Sequence, residues 1–144
     1  MVSKGQEVDS KTLYRELTTY IKDSFDPHYR LYQKYMLDQK LQCYKKADGA
    51  PAKYFNCIED IDRQLMSNAE SLQQKYSQVD VSDQVCQETC HNSFEAGSKY
   101  RQECLVKCAK TMKEQVVKTY LNFYDQALSG SSEYKKLKRP SFSQ

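Results

Sequence analysis

Apolar side chains recur along most of this chain at intervals of three and four residues, the period of a helix buried on one face. In SKTLYRELTTYIKDSF, residues 10–25, Leu13, Leu17, Tyr20, Ile21 and Phe25 share such a face, and Asp9 or Ser10 is placed to cap its start. Asp26-Pro27 predicts the end of that helix, since the residue before a proline avoids the α region and proline suits a first helical turn. A second helix then runs to about Lys46, with Leu31, Tyr35, Leu41 and Tyr44 among its apolar positions. ADGAPA, residues 47–52, reads as a turn because it joins Asp-Gly to a proline. From about Lys53 a third helix carries Tyr54, Ile58, Ile61, Leu65, Leu72, Tyr76 and Val79 at a spacing suited to packing on another helix. VDVSD, residues 79–83, sets β-branched residues beside a Ser/Asp cap signal and predicts a break; a bent but continuous helix is the rival reading. Residues 83–96 are helical again, the chain turns at Gly97, and a long helix follows from about Lys99 to Leu128.

That pattern leaves no strand candidate. Only four Gly and three Pro occur in 144 residues, and Lys, Gln and Leu are among the commonest residues, so the predicted class is all-α with a modest core. The organisation reads as an N-terminal helical extension (1–81), a helical hairpin (82–128) and a polar tail (129–144). Charge changes the picture only at the tail. Lys135, Lys136, Lys138 and Arg139 stand there against Glu133, leaving 18 basic and 18 acidic residues elsewhere. A neutral body predicts no nucleic-acid partner, while the tail offers a contact to acidic lipid or protein. No run is long enough to cross a membrane. MVSKGQEVDSKTLY lacks the apolar stretch of a secretory signal and the Arg/Ser-rich character of a transit peptide.

The cysteines carry the most information. CQETCHNSFEAGSKYRQECLVKC, residues 86–108, holds two Cys-x3-Cys pairs with thirteen residues between them. Residues four apart on one helix hold their β-carbons about 5–6 Å apart, whereas a disulfide requires about 3.5–4.5 Å, so neither pair closes on itself. Facing residues of an antiparallel hairpin share a common midpoint. For Cys86 with Cys108 and for Cys90 with Cys104 that midpoint is Gly97, the helix breaker of the segment. Two nested bridges therefore fit one register, and the crossed pairing requires two registers at once. Cys43 and Cys57 have Ala50 as midpoint, inside ADGAPA, and predict a second stapled hairpin. Zinc ligation by four thiolates is the competing reading; its pairs usually sit on tight knuckles, and it leaves Cys43 and Cys57 unexplained. No metal or cofactor is predicted, and no Cys-x-x-Cys redox motif is present.

Disulfides require an oxidising compartment. Residues 82–128, with CQETC, a short Gly-containing loop, ECLVKC and a long amphipathic helix, resemble the small Tim family, the twin Cys-x3-Cys chaperones of the mitochondrial intermembrane space. The resemblance covers about a third of the chain, and the first 80 residues with their own stapled hairpin have no counterpart in an ordinary member. It implies an outer bridge at Cys86–Cys108, an inner bridge at Cys90–Cys104, and hexameric hetero-oligomers of related chains that bind hydrophobic segments of membrane proteins in transit. Two roles follow. One is an architectural or accessory subunit, held with related small-Tim-like chains on an inner-membrane protein complex. The alternative is a soluble hexameric chaperone that carries hydrophobic precursors to the inner membrane.

A surface for either role follows from the hairpin register. Ser82 lies opposite Met112, so a break near Ser82 lets the last helix project alone. Leu105, Met112, Val116, Tyr120, Phe123 and Ala127 then form an apolar stripe for a partner or client, unless residues 10–46 cover it. Tyr14, Tyr20, Tyr29, Tyr32, Tyr35 and Tyr44 crowd the N-terminal helices, as interface residues or as core filling. Catalysis finds no support. His28 reads as a polar residue of a first helical turn, His91 as exposed or hydrogen-bonded rather than a ligand, and Glu59, Asp60 and Asp62 as a solvated face; no phosphate loop or nucleophile motif appears.

Overall fold

The computed structural model describes residues 9–140. Three long helices account for most of them: α1 (Ser10–Ala47), α2 (Pro51–Ser93) and α3 (Lys99–Ala127), with a short 3₁₀ turn at Tyr134–Lys136. No strand occurs among the described residues, and the class is all-α, as the periodicity predicts. Asp9 caps α1 by accepting the Thr12 N–H at 2.7 Å, and Ser98 caps α3 by accepting the Arg101 N–H at 3.1 Å. Asp48 (φ 46°) and Gly49 (φ 80°) form the turn between α1 and α2, and Gly97 (φ 78°) the turn between α2 and α3. Glycine tolerates this left-handed region without steric cost.

The chain divides into two units. Among the described residues, one holds 9–24, Lys75–Thr119 and Pro140; the other holds Phe25–Gln74 and Tyr120–Arg139. Each draws on all three helices, so neither coincides with a sequence stretch such as 1–81 or 82–128. The first unit buries Leu17, Cys90, Cys108, Met112, Val116 and Val117; the second buries Phe25, His28, Leu31, Met36, Cys43, Tyr124 and Leu128.

Two expectations are corrected. Helix α1 runs through Pro27 instead of ending there. The proline forfeits one helix hydrogen bond, to the Asp23 carbonyl, at a cost of about 3 kcal/mol. Continuing the helix buries Phe25 and Leu31 in the second unit and sets the Phe25 ring 5.3 Å from Tyr120 and 5.8 Å from Tyr124. Full burial of each such side chain contributes about 1.5–3 kcal/mol, which offsets the loss. Helix α2 does not break at VDVSD. Val79 and Val81 lower helix propensity by well under about 1 kcal/mol each. The carboxylate that reads as a cap is engaged elsewhere: Asp83, 7% exposed, accepts the Tyr14 hydroxyl at 2.6 Å and the Gln87 amide at 2.7 Å.

The core face of α1 carries Leu31, Met36, Cys43 and Ala47, whereas Leu41 and Tyr44 are exposed. The tail is held by polar contacts. The Ser131 N–H donates to the Leu128 carbonyl at 3.0 Å, Lys34 pairs with Glu133 at 2.7 Å, and Arg139 grips Asp125 through two nitrogens at 2.8 and 3.1 Å. The tail through Arg139 thus folds onto the second unit; residues 141–144 lie outside the described residues.

Because Pro27 is exposed, Pro27→Ala restores the missing N–H without loss of packing. It is expected to raise unfolding stability by about 1–3 kcal/mol, measured by chemical denaturation; a loss of stability would show that proline at this position is required.

Candidate interaction site and sulfur cluster

Three disulfides join the helices. Cys43–Cys57 links α1 to α2 in the second unit with a Cα separation of 5.6 Å. Cys86–Cys108 and Cys90–Cys104 link α2 to α3 in the first unit, at 5.9 and 5.7 Å. All lie inside the usual span for such bridges, and the pairing is the nested one that the midpoints at Ala50 and Gly97 predict. The two bridges of the first unit stack, with the Cys90 and Cys108 sulfurs 3.6 Å apart. The sulfurs of Cys86, Cys90 and Cys108 fall within 4.8 Å of one another, the closeness a thiolate metal site would need. Each is bonded to another sulfur, however, and a disulfide sulfur carries no thiolate charge for zinc. Arg101 closes the turn above the bridges by donating to the His91 carbonyl at 2.9 Å; His91 itself is exposed.

The stripe on α3 is covered by the chain itself, because its premise, a helix break near Ser82, does not hold. In the first unit Met112 is 8% and Val116 1% exposed, Leu105 is half-buried, and Lys113 sits over the Tyr20 ring of α1 at 4.0 Å. In the second unit Tyr120 packs on Phe25 and Phe123 on Tyr32, the latter at 5.5 Å. Residues 10–46 thus supply ring partners for Tyr120 and Phe123, while Met112 and Val116 are buried within the first unit. Tyr20 and Tyr32 thereby serve as core filling, while Tyr29 and Tyr44 stay exposed at 52% and 70%.

Sequence reasoning missed the setting of His28. It is 1% exposed, its ring centroid is 5.2 Å from that of Phe25, 5.4 Å from Tyr124 and 5.8 Å from Tyr134, and neither ring nitrogen has a hydrogen-bond partner. Reading Pro27 as a helix start placed His28 in an exposed first turn; the uninterrupted i, i+3, i+6 run Phe25, His28, Leu31 was the available signal. Burial, and secondarily the Arg139 guanidinium, lowers the His28 pKa from its ordinary 6.5, with Asp125 opposing. Nearby, Arg139 holds the Asp125 carboxyl below its usual range. Burial and then the Asp125 hydrogen bond push the Tyr134 phenol up to about 12. The acidic residues of α2 make surface pairs, Asp60 with Arg63 at 3.1 Å and Asp62 with Lys40 at 3.0 Å. Such exposed pairs contribute little stability.

No helix is long and apolar enough to cross a membrane among the described residues. Comparison with protein-family models, with characterised proteins and with solved structures found no match to this chain. The class that fold and bridges define is therefore structural: an all-α protein of disulfide-stapled helical hairpins.

A histidine kept neutral in the folded state makes stability pH-dependent. The folded pKa lies below the unfolded value, so the contribution of His28 is complete above pH 6.5 and is lost as pH falls through that value toward the depressed one. Thermal stability is expected to fall as pH is lowered from neutrality through 6.5, and His28→Phe is expected to flatten that slope. An unchanged slope in the variant would assign the pH dependence to other groups.

Proposed function

We propose that this chain is a non-enzymatic, small-Tim-like protein of the mitochondrial intermembrane space. It acts as an architectural or accessory subunit, assembling with related chains on an inner-membrane protein complex. The observation that carries the reading is the pair of nested bridges, Cys86–Cys108 and Cys90–Cys104, formed by twin Cys-x3-Cys motifs around one turn. Stable bridges require an oxidising compartment, and the family that this motif resembles works in the intermembrane space.

The choice between subunit and carrier rests on the stripe of α3. A mobile chaperone requires open apolar surface to hold a hydrophobic client, yet Met112 and Val116 are buried and Tyr120 and Phe123 pack on aromatic rings of α1. That supports the subunit. Apolar surface for a neighbouring chain remains on the first unit at Val81 and Val85, 57% and 56% exposed and one turn apart on α2, and at the stacked rings of Phe94 and Tyr100.

Fractionation tests the proposal. Mitochondria solubilised in mild detergent should release the chain within a large inner-membrane assembly, identified by native gel and mass spectrometry, together with other twin Cys-x3-Cys chains. Recovery as a soluble hexamer would favour the carrier instead, and recovery outside mitochondria would overturn both.

A further inference from the structure

The hairpin tip between α1 and α2, in the second unit, gathers a surface that neither the fold nor the proposed function uses. Tyr44 is 70% exposed and Phe55 61% exposed. Tyr54 joins them, its ring 6.2 Å from Tyr44 and 5.6 Å from Phe55. The three rings and Pro51 line an open hollow of about 560 Å³ beside the Asp48-Gly49 turn. Behind Tyr44, Leu41 and Leu37 continue the same helical face at 51% and 66% exposure. Lys45 lines the same hollow, while Lys46 and Lys53 line a second hollow beside the Cys43–Cys57 bridge together with Asp60; all three lysines are exposed, against Asp48 on the turn and Asp60, which pairs with Arg63. The aromatic and basic residues come from both sides of one turn, and the Cys43–Cys57 bridge fixes their separation.

We propose that this tip is a peripheral docking site for an anionic lipid surface. Aromatic rings that are apolar in body and polar at one edge prefer the headgroup level of a bilayer, and an amphipathic element binds more strongly when its apolar face is flanked by Lys or Arg. Charge selects among occupants. A second copy would bring its own lysines against these, whereas an anionic bilayer complements them, each lysine near such a surface strengthening binding about fivefold. The site differs from the basic tail, where Arg139 is already engaged by Asp125. It stands on the tip alone and does not depend on the proposed compartment.

The test is co-sedimentation of the purified, oxidised full chain with vesicles of phosphatidylcholine alone and of phosphatidylcholine mixed equally with phosphatidylglycerol. Binding is expected only to the anionic vesicles and should fall steeply with added salt. The triple variant Lys45→Gln, Lys46→Gln, Lys53→Gln should weaken it about a hundredfold, and Tyr44→Ser with Phe55→Ser should abolish it. Lys75→Gln with Lys107→Gln, exposed and remote in sequence from the tip, should leave it unchanged. Helix content and thermal midpoint, recorded for each variant, identify any that misfold, and the exposure of all five tip positions favours normal folding. Failure to bind anionic vesicles overturns the proposal. So does binding that survives both tip variants, which assigns it to the tail lysines. A tip-dependent dimer or tip-dependent capture of a protein without lipid binding also overturns it.

Discussion

Everything in this molecule depends on three sulfur–sulfur bonds that hold helices side by side in fixed register. The chain is polar, its core is thin, and a helix of such composition gains little from burial alone. Closing a loop of about 15 residues contributes about 3 kcal/mol in the chain-entropy account, against a typical total stability of about 5–15 kcal/mol. Each unit carries its own bridges, Cys43–Cys57 in one and the stacked pair Cys86–Cys108 and Cys90–Cys104 in the other. The left-handed residues Gly49 and Gly97 let the backbone turn where the bridges require it.

Within that frame, packing decides which face of each helix is spent on the core and which is left for partners. The passage of α1 through Pro27 brings Phe25, His28 and Leu31 into the interior of the second unit, and Phe25 and Tyr32 reach the rings of α3. The Tyr120 and Phe123 part of the stripe is therefore covered by rings of the chain's own first helix. Two carboxylates match residual polar groups: Asp83 holds Tyr14 and Gln87, and Asp125 holds Tyr134 and Arg139. Arg101 Nε and Gln102 Nε2 are buried without a partner, and so are both ring nitrogens of His28, a buried imidazole among rings that ties the stability of its unit to proton concentration.

Much of this was legible in the residues because cysteine pairing and turn chemistry are local and numerical. A shared midpoint at Gly97 identifies facing cysteines without knowledge of the fold, and Asp-Gly followed by proline marks a turn whatever surrounds it. What escaped depended on tertiary contacts. Asp26-Pro27 and VDVSD are sound local stop signals, but burial of Phe25 and engagement of Asp83 override them, since propensity differences of about 1–3 kcal/mol are comparable to a single packed side chain. The tail was illegible because it lacks periodicity and is held by individual polar contacts to Asp125 and Lys34. The fates of Leu41 and Tyr44 stayed open because an apolar residue at helical spacing does not disclose whether another helix lies against it.

The most direct measurement is disulfide mapping of the protein isolated without reductant and alkylated at once. Cleavage after Glu88 separates Cys86 from Cys90, and cleavage after Lys107 separates Cys104 from Cys108, so every pairing can be distinguished. The account predicts no alkylated cysteine and linked peptides that join Cys86 to Cys108, Cys90 to Cys104 and Cys43 to Cys57. Six alkylated thiols, bound zinc in stoichiometric amount, or the crossed pairing of Cys86 with Cys104 would contradict it.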